Sequence, residues 1–182
     1  MALEDIARRL VDTDARTVLI DGRSGSGKST LAALLAELWD GSVVVTLDDI
    51  YPGWDGLAWA TEHLRAELLA PRARGAAGRW RRWDWAADAP AEWHTVSARQ
   101  RLIVEGAGTL TAANRALADL GIWIDADDSD RKRRALLRDG DTYRPHWERW
   151  ARQEDDFVAI HRPRAVADEH VTNAPGGWRW TT

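Results

Sequence analysis

Val18-Leu19-Ile20-Asp21-Gly22-Arg23-Ser24-Gly25-Ser26-Gly27-Lys28-Ser29-Thr30 decides the fold. A short apolar run, the signature of a buried strand, passes without a linker into Gly22 to Ser29, which fits the phosphate-loop pattern G-x-x-x-x-G-K-[ST]. A helical pattern follows from Leu31. Glycines there let backbone N–H groups curl around a di- or triphosphate, and the new helix turns its positive N-terminal end to the same anion. Lys28 is placed to reach the β- and γ-phosphates, and the Ser29 hydroxyl to ligate Mg²⁺. The chain contains 25 Lys and Arg, yet only two are lysines, Lys28 and Lys132. A compact ammonium therefore stands at the one place where it suits phosphate better than a planar guanidinium does. The competing reading, a Gly/Ser-rich surface turn, does not account for strand, loop and helix in that order.

Outward from the loop, apolar strand patterns alternate with helical ones. Residues 3–12 read as a short amphipathic helix, 17–20 as a strand and 28–39 as a helix stopped at Asp40-Gly41. Residues 43–47 form a β-branched run expected to be a strand buried on both faces, and 57–69 a helix closed by Pro71. From 72 to 95 the sequence is rich in Arg and Trp, without clear periodicity. Strands are expected at 101–104 and 121–124 and helices at 112–120, 129–137 and from Pro145 to about 160, with Gly140 opening a loop. A short last strand at 169–172 precedes a tail, 173–182, expected to be flexible. The alternation predicts an α/β fold, with helices on both faces of a five-stranded parallel sheet. Its 182 residues make a single domain, 1–182. In such sheets ligands bind beyond the C-terminal strand ends, and those ends carry Asp21, Asp48-Asp49, Glu105 and Asp125.

Composition narrows the function. The net charge is −4 and the pI near 5.7, against the basic excess of a nucleic-acid binder. With no cysteine there is no disulfide, thiolate metal site or cysteine nucleophile. The acidic N-terminus lacks the pattern of a signal peptide, and no segment is long and apolar enough to span a bilayer, so a cytoplasmic protein with no membrane partner is expected. The oligomeric state stays open. The 12 tryptophans sit largely among charges, as in Arg79-Trp80-Arg81-Arg82-Trp83-Asp84-Trp85 and His146-Trp147-Glu148-Arg149-Trp150. Most read as amphipathic cover or Arg-stacking partners, and a subset as pocket walls.

Phosphoryl transfer needs more than a phosphate loop: a base for the acceptor hydroxyl, metal neutralisation and cations over the moving group. Asp48, at a strand end, is the candidate base and also helps hold Mg²⁺. Glu105 is the strand-end carboxylate placed to bind the metal with Ser29. Arg131, Arg134 and Arg138 fall at i, i+3 and i+7 on one helix face, making 128–150 a candidate lid over the nucleotide. The plainer readings are a capping or surface-turn Asp48, an ordinary strand-end Glu105 and a solvated helix paired with Asp127, Asp128 and Asp130.

Taken together, the phosphate loop, Asp48-Asp49-Ile50-Tyr51, Ile103-Val104-Glu105-Gly106 and Asp125-Ala126-Asp127 with the Arg-rich helix resemble the uridine kinase and phosphoribulokinase group of P-loop kinases, and more closely compact actinobacterial proteins described as uridine-kinase-like. The resemblance implies a three-layer α/β/α P-loop fold with a helical lid, and ATP and Mg²⁺ as cofactors. It makes Asp48 the catalytic base, Tyr51 a neighbour of the nucleoside and Glu105 a metal ligand. Lys28, Arg131 and Arg134 then act on the transferring phosphoryl group. Gly22, Ser24, Gly25, Ser26, Gly27, Lys28, Ser29, Thr30 and Arg138 hold the nucleotide. Substrate-facing parts match less well: Ile50 replaces a Phe, and Trp83-Asp84-Trp85, followed by His94, replaces a Tyr-Asp-Phe element. The acceptor is expected among Tyr51, Trp54, Asp55, Arg82, Trp83, Asp84 and Trp85, with a nucleoside favoured. Arg79, Arg81 and Arg82 keep a phosphorylated acceptor open. The alternatives are a gluconate- or shikimate-type sugar-acid kinase and a nucleotide-binding regulatory module that phosphorylates nothing.

Overall fold

The computed structural model describes residues 3–181. In chain order the strands are β1 (Thr17–Asp21), β2 (Ser42–Thr46), β3 (Gly78–Asp84), β4 (Ala89–Val96), β5 (Arg101–Glu105), β6 (Leu120–Asp125), β7 (Glu169–Ala174) and β8 (Gly177–Thr181). The helices are α1 (Leu3–Asp12), α2 (Lys28–Leu38), α3 (Leu57–His63), α4 (Ala70–Ala73), α5 (Ala112–Arg115), α6 (Asp128–Tyr143), α7 (Trp147–His161) and α8 (Pro163–Val166). The main sheet runs β2-β5-β1-β6-β7-β8. Its first five strands are parallel, and β8 adds antiparallel to β7.

Alternation along the central strands sorts the core into two layers. Val18 and Ile20 of β1, Ile103 of β5 and Ile122 and Ile124 of β6 face α1 and α2, where Ile6, Leu10, Leu31, Leu35 and Trp39 close the layer. Leu19, Leu102, Val104 and Trp123 face the other way, onto Leu57, Leu64, Leu68, Trp147 and Phe157. Each fully buried aliphatic contributes about 1.5–3 kcal/mol relative to exposure. Because both faces are covered, β1 carries no exposed position at all, and its C-terminal end delivers the phosphate loop at a fixed place.

Five expectations need correction, the briefest being the helix expected at 112–120, which is a single turn, Ala112–Arg115. The sheet has six strands, not five, because residues 173–181 complete β7 and fold back as β8 instead of forming a loose tail. Strand β2 is an edge strand, not one buried on both faces; Val44 is 44% exposed. The Arg/Trp-rich stretch forms a two-stranded antiparallel hairpin, β3-β4. Its register shifts between Arg81 and Trp83, and a bulge of this kind breaks the two-residue alternation that marks a strand. Finally, the helix begun at Leu57 does not end before Pro71. It widens into a π-helical segment, Leu64–Leu69, and continues through α4 to Ala73. The wide turn relieves the clash a proline ring makes with the preceding turn of an α-helix.

Candidate active site

The phosphate loop leaves β1 at Asp21 and enters α2 at Lys28. Three left-handed glycines shape it, Gly22 at φ 156°, Gly25 at 77° and Gly27 at 104°. A methyl group on Gly25 would collide with the Arg131 backbone carbonyl, and one on Gly27 would lie 2.6 Å from Asn173 Nδ2 and 2.8 Å from the Trp178 ring. The loop is thus enclosed by α6 on one side and by the β7-β8 hairpin on the other. Asn173 Nδ2 donates to the Ser26 carbonyl at 2.8 Å. The Ser26 hydroxyl is buried and has no hydrogen-bond partner among the described residues. Lys28 Nζ donates to the Arg23 carbonyl at 3.2 Å, and Ser29 Oγ donates to Glu105 Oε1 at 3.0 Å. Thr30 is exposed on the first turn of α2.

A cleft of about 870 Å³ opens beyond the strand ends, and Ser24, Gly25, Lys28, Ser29, Asp48 and Glu105 line one part of it. Asp48 follows β2 in a short 3₁₀ turn, where the Thr46 hydroxyl accepts its N–H. Its side chain is 60% exposed and lines the cleft, and Arg138 Nη2 stands 3.7 Å from Oδ2. The protein walls around it raise its pKa, Glu105 pushes further the same way, and Lys28 and Arg138 pull back. An all-oxygen set of a hydroxyl, carboxylates and phosphate oxygens suits a hard cation such as Mg²⁺. Among the described residues no group of three or more His, Cys, Asp or Glu side chains is arranged to hold a metal by itself. The donors at hand therefore fit an ion shared with a phosphate.

The far part of the cleft is aromatic. Tyr51, Trp54, Trp85, Tyr143 and Trp150 line it. Trp150 meets Tyr51 edge-on at 4.6 Å, Trp54 lies 5.0 Å from Trp85, and Tyr143 stacks on Trp54 at 5.3 Å. His146 stacks on Trp54 too, at 4.4 Å. Tyr51 is fixed from behind, its hydroxyl donating to the Ala107 carbonyl at 2.7 Å. The Trp85 indole donates to the Asp48 carbonyl at 2.8 Å, which ties the hairpin tip to the backbone of the candidate base.

Of the side chains singled out in the sequence, Asp48, Tyr51, Trp54, Trp85, Lys28, Ser29, Glu105 and Arg138 meet in this cleft. Of the acceptor-side residues expected there, four do not line it. Asp55 pairs with Arg149, with Nε–Oδ1 at 2.6 Å. Arg82 is held by Glu92 at 2.7 Å. Asp84 caps the hairpin turn by accepting the Ala86 and Ala87 amides, and Trp83 lies along β3. Arg79 and Arg81 are likewise spent, on Glu67 and on the Ala91 carbonyl. In the Arg-rich helix, Arg131 is buried and donates to the Ser24 carbonyl at 3.0 Å. Arg134 keeps a buried guanidinium nitrogen without a hydrogen-bond partner. Tyr143 and Trp150 were missed by sequence reasoning. Tyr143, Trp147 and Trp150 are spaced i, i+4 and i+7, so one helical face could be read from the sequence, but not that it meets Tyr51 and Trp54.

No protein-family model and no curated protein matches the chain. Solved structures do. A candidate uridine kinase from Bacillus stearothermophilus superposes with a TM-score of 0.62 and 21% identity, over 93% of this chain and 99% of that one. A candidate fructose transport system kinase from Silicibacter sp. TM1040 gives 0.55 and 20%, over 92% and 95%. The fold is that of the P-loop kinases, and the expected three-layer architecture holds.

Proposed function

We propose that this chain is an ATP- and Mg²⁺-dependent kinase that transfers the γ-phosphoryl group to a hydroxyl of a small, uncharged ring compound, with a nucleoside as the first candidate. One observation carries the reading: a single cleft joins a phosphate loop, a carboxylate of raised pKa at Asp48 and an aromatic box. Ser29 and Glu105 are the residues that would hold Mg²⁺, which supplies neutralisation of phosphate charge when bound; Asp48 stands beside them and is assigned to the acceptor. Asp48 accepts the proton of the acceptor hydroxyl as the oxygen attacks phosphorus. A raised pKa brings such a base nearer to neutrality, where it transfers protons more effectively. Lys28 orients the phosphates, and α6 with the kinked segment to α7 forms the lid that keeps water from the reacting group.

The box also supports a choice among acceptors. Its cations are Lys28, assigned to the phosphates, and Arg138, which holds Asp139 at 2.7 Å and faces Asp48. Asp48, Glu105 and Asp139 face the same space. A phosphate or carboxylate on the acceptor would meet these carboxylates with no free guanidinium to pair with, which disfavours sugar-acid, sugar-phosphate and nucleoside-monophosphate acceptors. Flat aromatic walls suit a ring that stacks.

An ADP-release screen over nucleosides, other neutral ring alcohols, sugar acids and phosphorylated acceptors tests this. Turnover should appear with the uncharged ring compounds alone. Asp48→Asn should lower it by about 10²–10⁴-fold, the usual contribution of a general base, while MgADP affinity stays within about threefold. Wild-type-like turnover in that variant would remove Asp48 as the base, and no acceptor-stimulated turnover at all would favour a nucleotide-binding module.

A further inference from the structure

Ser24 is held almost wholly from outside its own loop. Its amide donates to Glu154 Oε1 of α7 at 2.7 Å. Its carbonyl accepts from Arg131 of α6 at 3.0 Å. Its side chain faces the Tyr143 hydroxyl, the last residue of α6. Glu154 is 3% exposed and accepts from two further donors, Trp150 Nε1 at 3.0 Å and Arg23 Nε at 3.2 Å. Beside a loop shaped to receive phosphate, a buried carboxylate is electrostatically adverse, and burying it is costly unless each oxygen is satisfied. Attraction for the nucleotide cannot explain its placement. Control of the loop's shape from α7 can.

The other ends of these contacts lie in the aromatic box. Trp150 is the wall that meets Tyr51 edge-on, and Tyr143 is the wall stacked on Trp54. Two walls of the acceptor box thus reach one residue of the phosphate loop by separate routes, Trp150 through the buried Glu154 and Tyr143 across the cleft that both it and Ser24 line. Trp85 is a wall of the same box, but its indole N–H goes to the Asp48 carbonyl and not to the loop.

We propose that Tyr143 and Trp150 are positioning residues that set the nucleotide affinity of the phosphate loop from the acceptor side, through Ser24. The proposal rests on the phosphoryl-transfer reading above. Its physical content is linkage: whatever fixes these two walls fixes the loop, and nucleotide binding must in turn order the walls.

The test is a titration of the full-length chain with MgADP, with thermal melting of every variant alongside. Trp150→Phe keeps a ring and loses the N–H to Glu154. Tyr143→Phe removes one oxygen and leaves the packing in place. Each should weaken MgADP binding about fivefold or more, the low end of site-to-site coupling. The double variant should lose less than the product of the two, since both act through Ser24. Trp85→Phe, with its link elsewhere, should change the affinity by less than about twofold. A purely structural role would lower melting temperatures and leave the affinity of the folded protein unchanged. Wild-type affinity in both Tyr143→Phe and Trp150→Phe overturns the proposal, as does an equal loss in Trp85→Phe. Failure of the wild type to bind MgADP overturns the phosphoryl-transfer reading itself, and this inference with it.

Discussion

Asp21 shows how far one carboxylate's surroundings can be from what its sequence position suggests. It ends β1 among the acidic strand ends, yet it is 1% exposed and turned inward. Its oxygens accept the amides of Gly22 at 2.6 Å, Gly108 at 3.2 Å and Leu110 at 2.7 Å, which ties the start of the phosphate loop to the segment after β5. Burial outweighs those bonds and the nearby Lys28, and the pKa is pushed up from 3.8 to about 6. The folded protein therefore keeps a proton between about pH 4 and 6 that the unfolded chain has lost, so ionisation of Asp21 costs stability as the pH rises through that window. At about 1.4 kcal/mol per pH unit, the full cost above pH 6 is on the order of 3 kcal/mol. Melting at pH 5 and pH 7 should show the wild type gaining more on acidification than Asp21→Asn, even though the asparagine variant, with one acceptor oxygen fewer, melts lower at pH 5. Parallel pH dependence of the two proteins would refute this. The same contrast separates the candidate site residues. Asp48 and Glu105 were readable because a strand end fixes where they go. Asp55 was not, because its partner Arg149 comes from a helix distant in the sequence, and Asp84 was not, because the hairpin turn whose amides it accepts was not expected there.

Elements differed in the same way, according to whether a local rule or a distant contact sets them. The strand, loop and helix at 17–38 follow from apolar periodicity and glycine placement alone, and the structure places them within a residue of expectation. The β3-β4 hairpin breaks its alternation with a bulge; β8 does alternate, with Trp178 and Trp180 packed inward, but over few residues and only where β7 offers it an edge. Helix α6 combines both kinds. Its N-terminal turn is capped locally by Asp127, which accepts the Ser129 and Asp130 amides. Gly140 then takes φ 54°, ψ −132° inside the helix, a conformation that glycine alone adopts readily. That kink is what turns Tyr143 toward Trp54. A side chain on Gly140 would meet nothing within 4 Å, whereas one on Gly25 would run into the backbone of Arg131. Gly140→Ala should accordingly cost about 1–3 kcal/mol of local strain, seen as faster amide exchange across 137–146, with MgADP affinity falling only as Tyr143 shifts. Gly25→Ala should separate α6 from the loop and cut MgADP affinity by at least about tenfold. Equal losses of affinity in the two variants would show that α6 does not depend on its seat at Gly25.

Across the whole molecule, the sheet gathers the chemistry at one edge while both faces of its central strands stay sealed. The phosphate loop is reached from three directions: from β1 behind it, from α6 and α7 through Ser24, and from the β7-β8 hairpin through Asn173 and Trp178. Among the described residues no helix is long and apolar enough to cross a membrane. A ligand seated on that loop stabilises every element that touches it, since binding to the folded state alone shifts the unfolding equilibrium by mass action. MgADP at about one hundred times its dissociation constant adds about 2.7 kcal/mol. For a chain of this length that is a rise of about 5–10 °C in melting temperature. Asp48→Asn should keep the rise, because Asp48 acts on the acceptor. Lys28→Ala should lose most of it at the same ligand concentration, because the loop then holds the phosphates with backbone amides alone. The two variants together divide nucleotide binding from phosphoryl transfer: an undiminished shift in Lys28→Ala would place the nucleotide away from the loop, and loss of the shift in Asp48→Asn would make Asp48 part of the nucleotide's own seat.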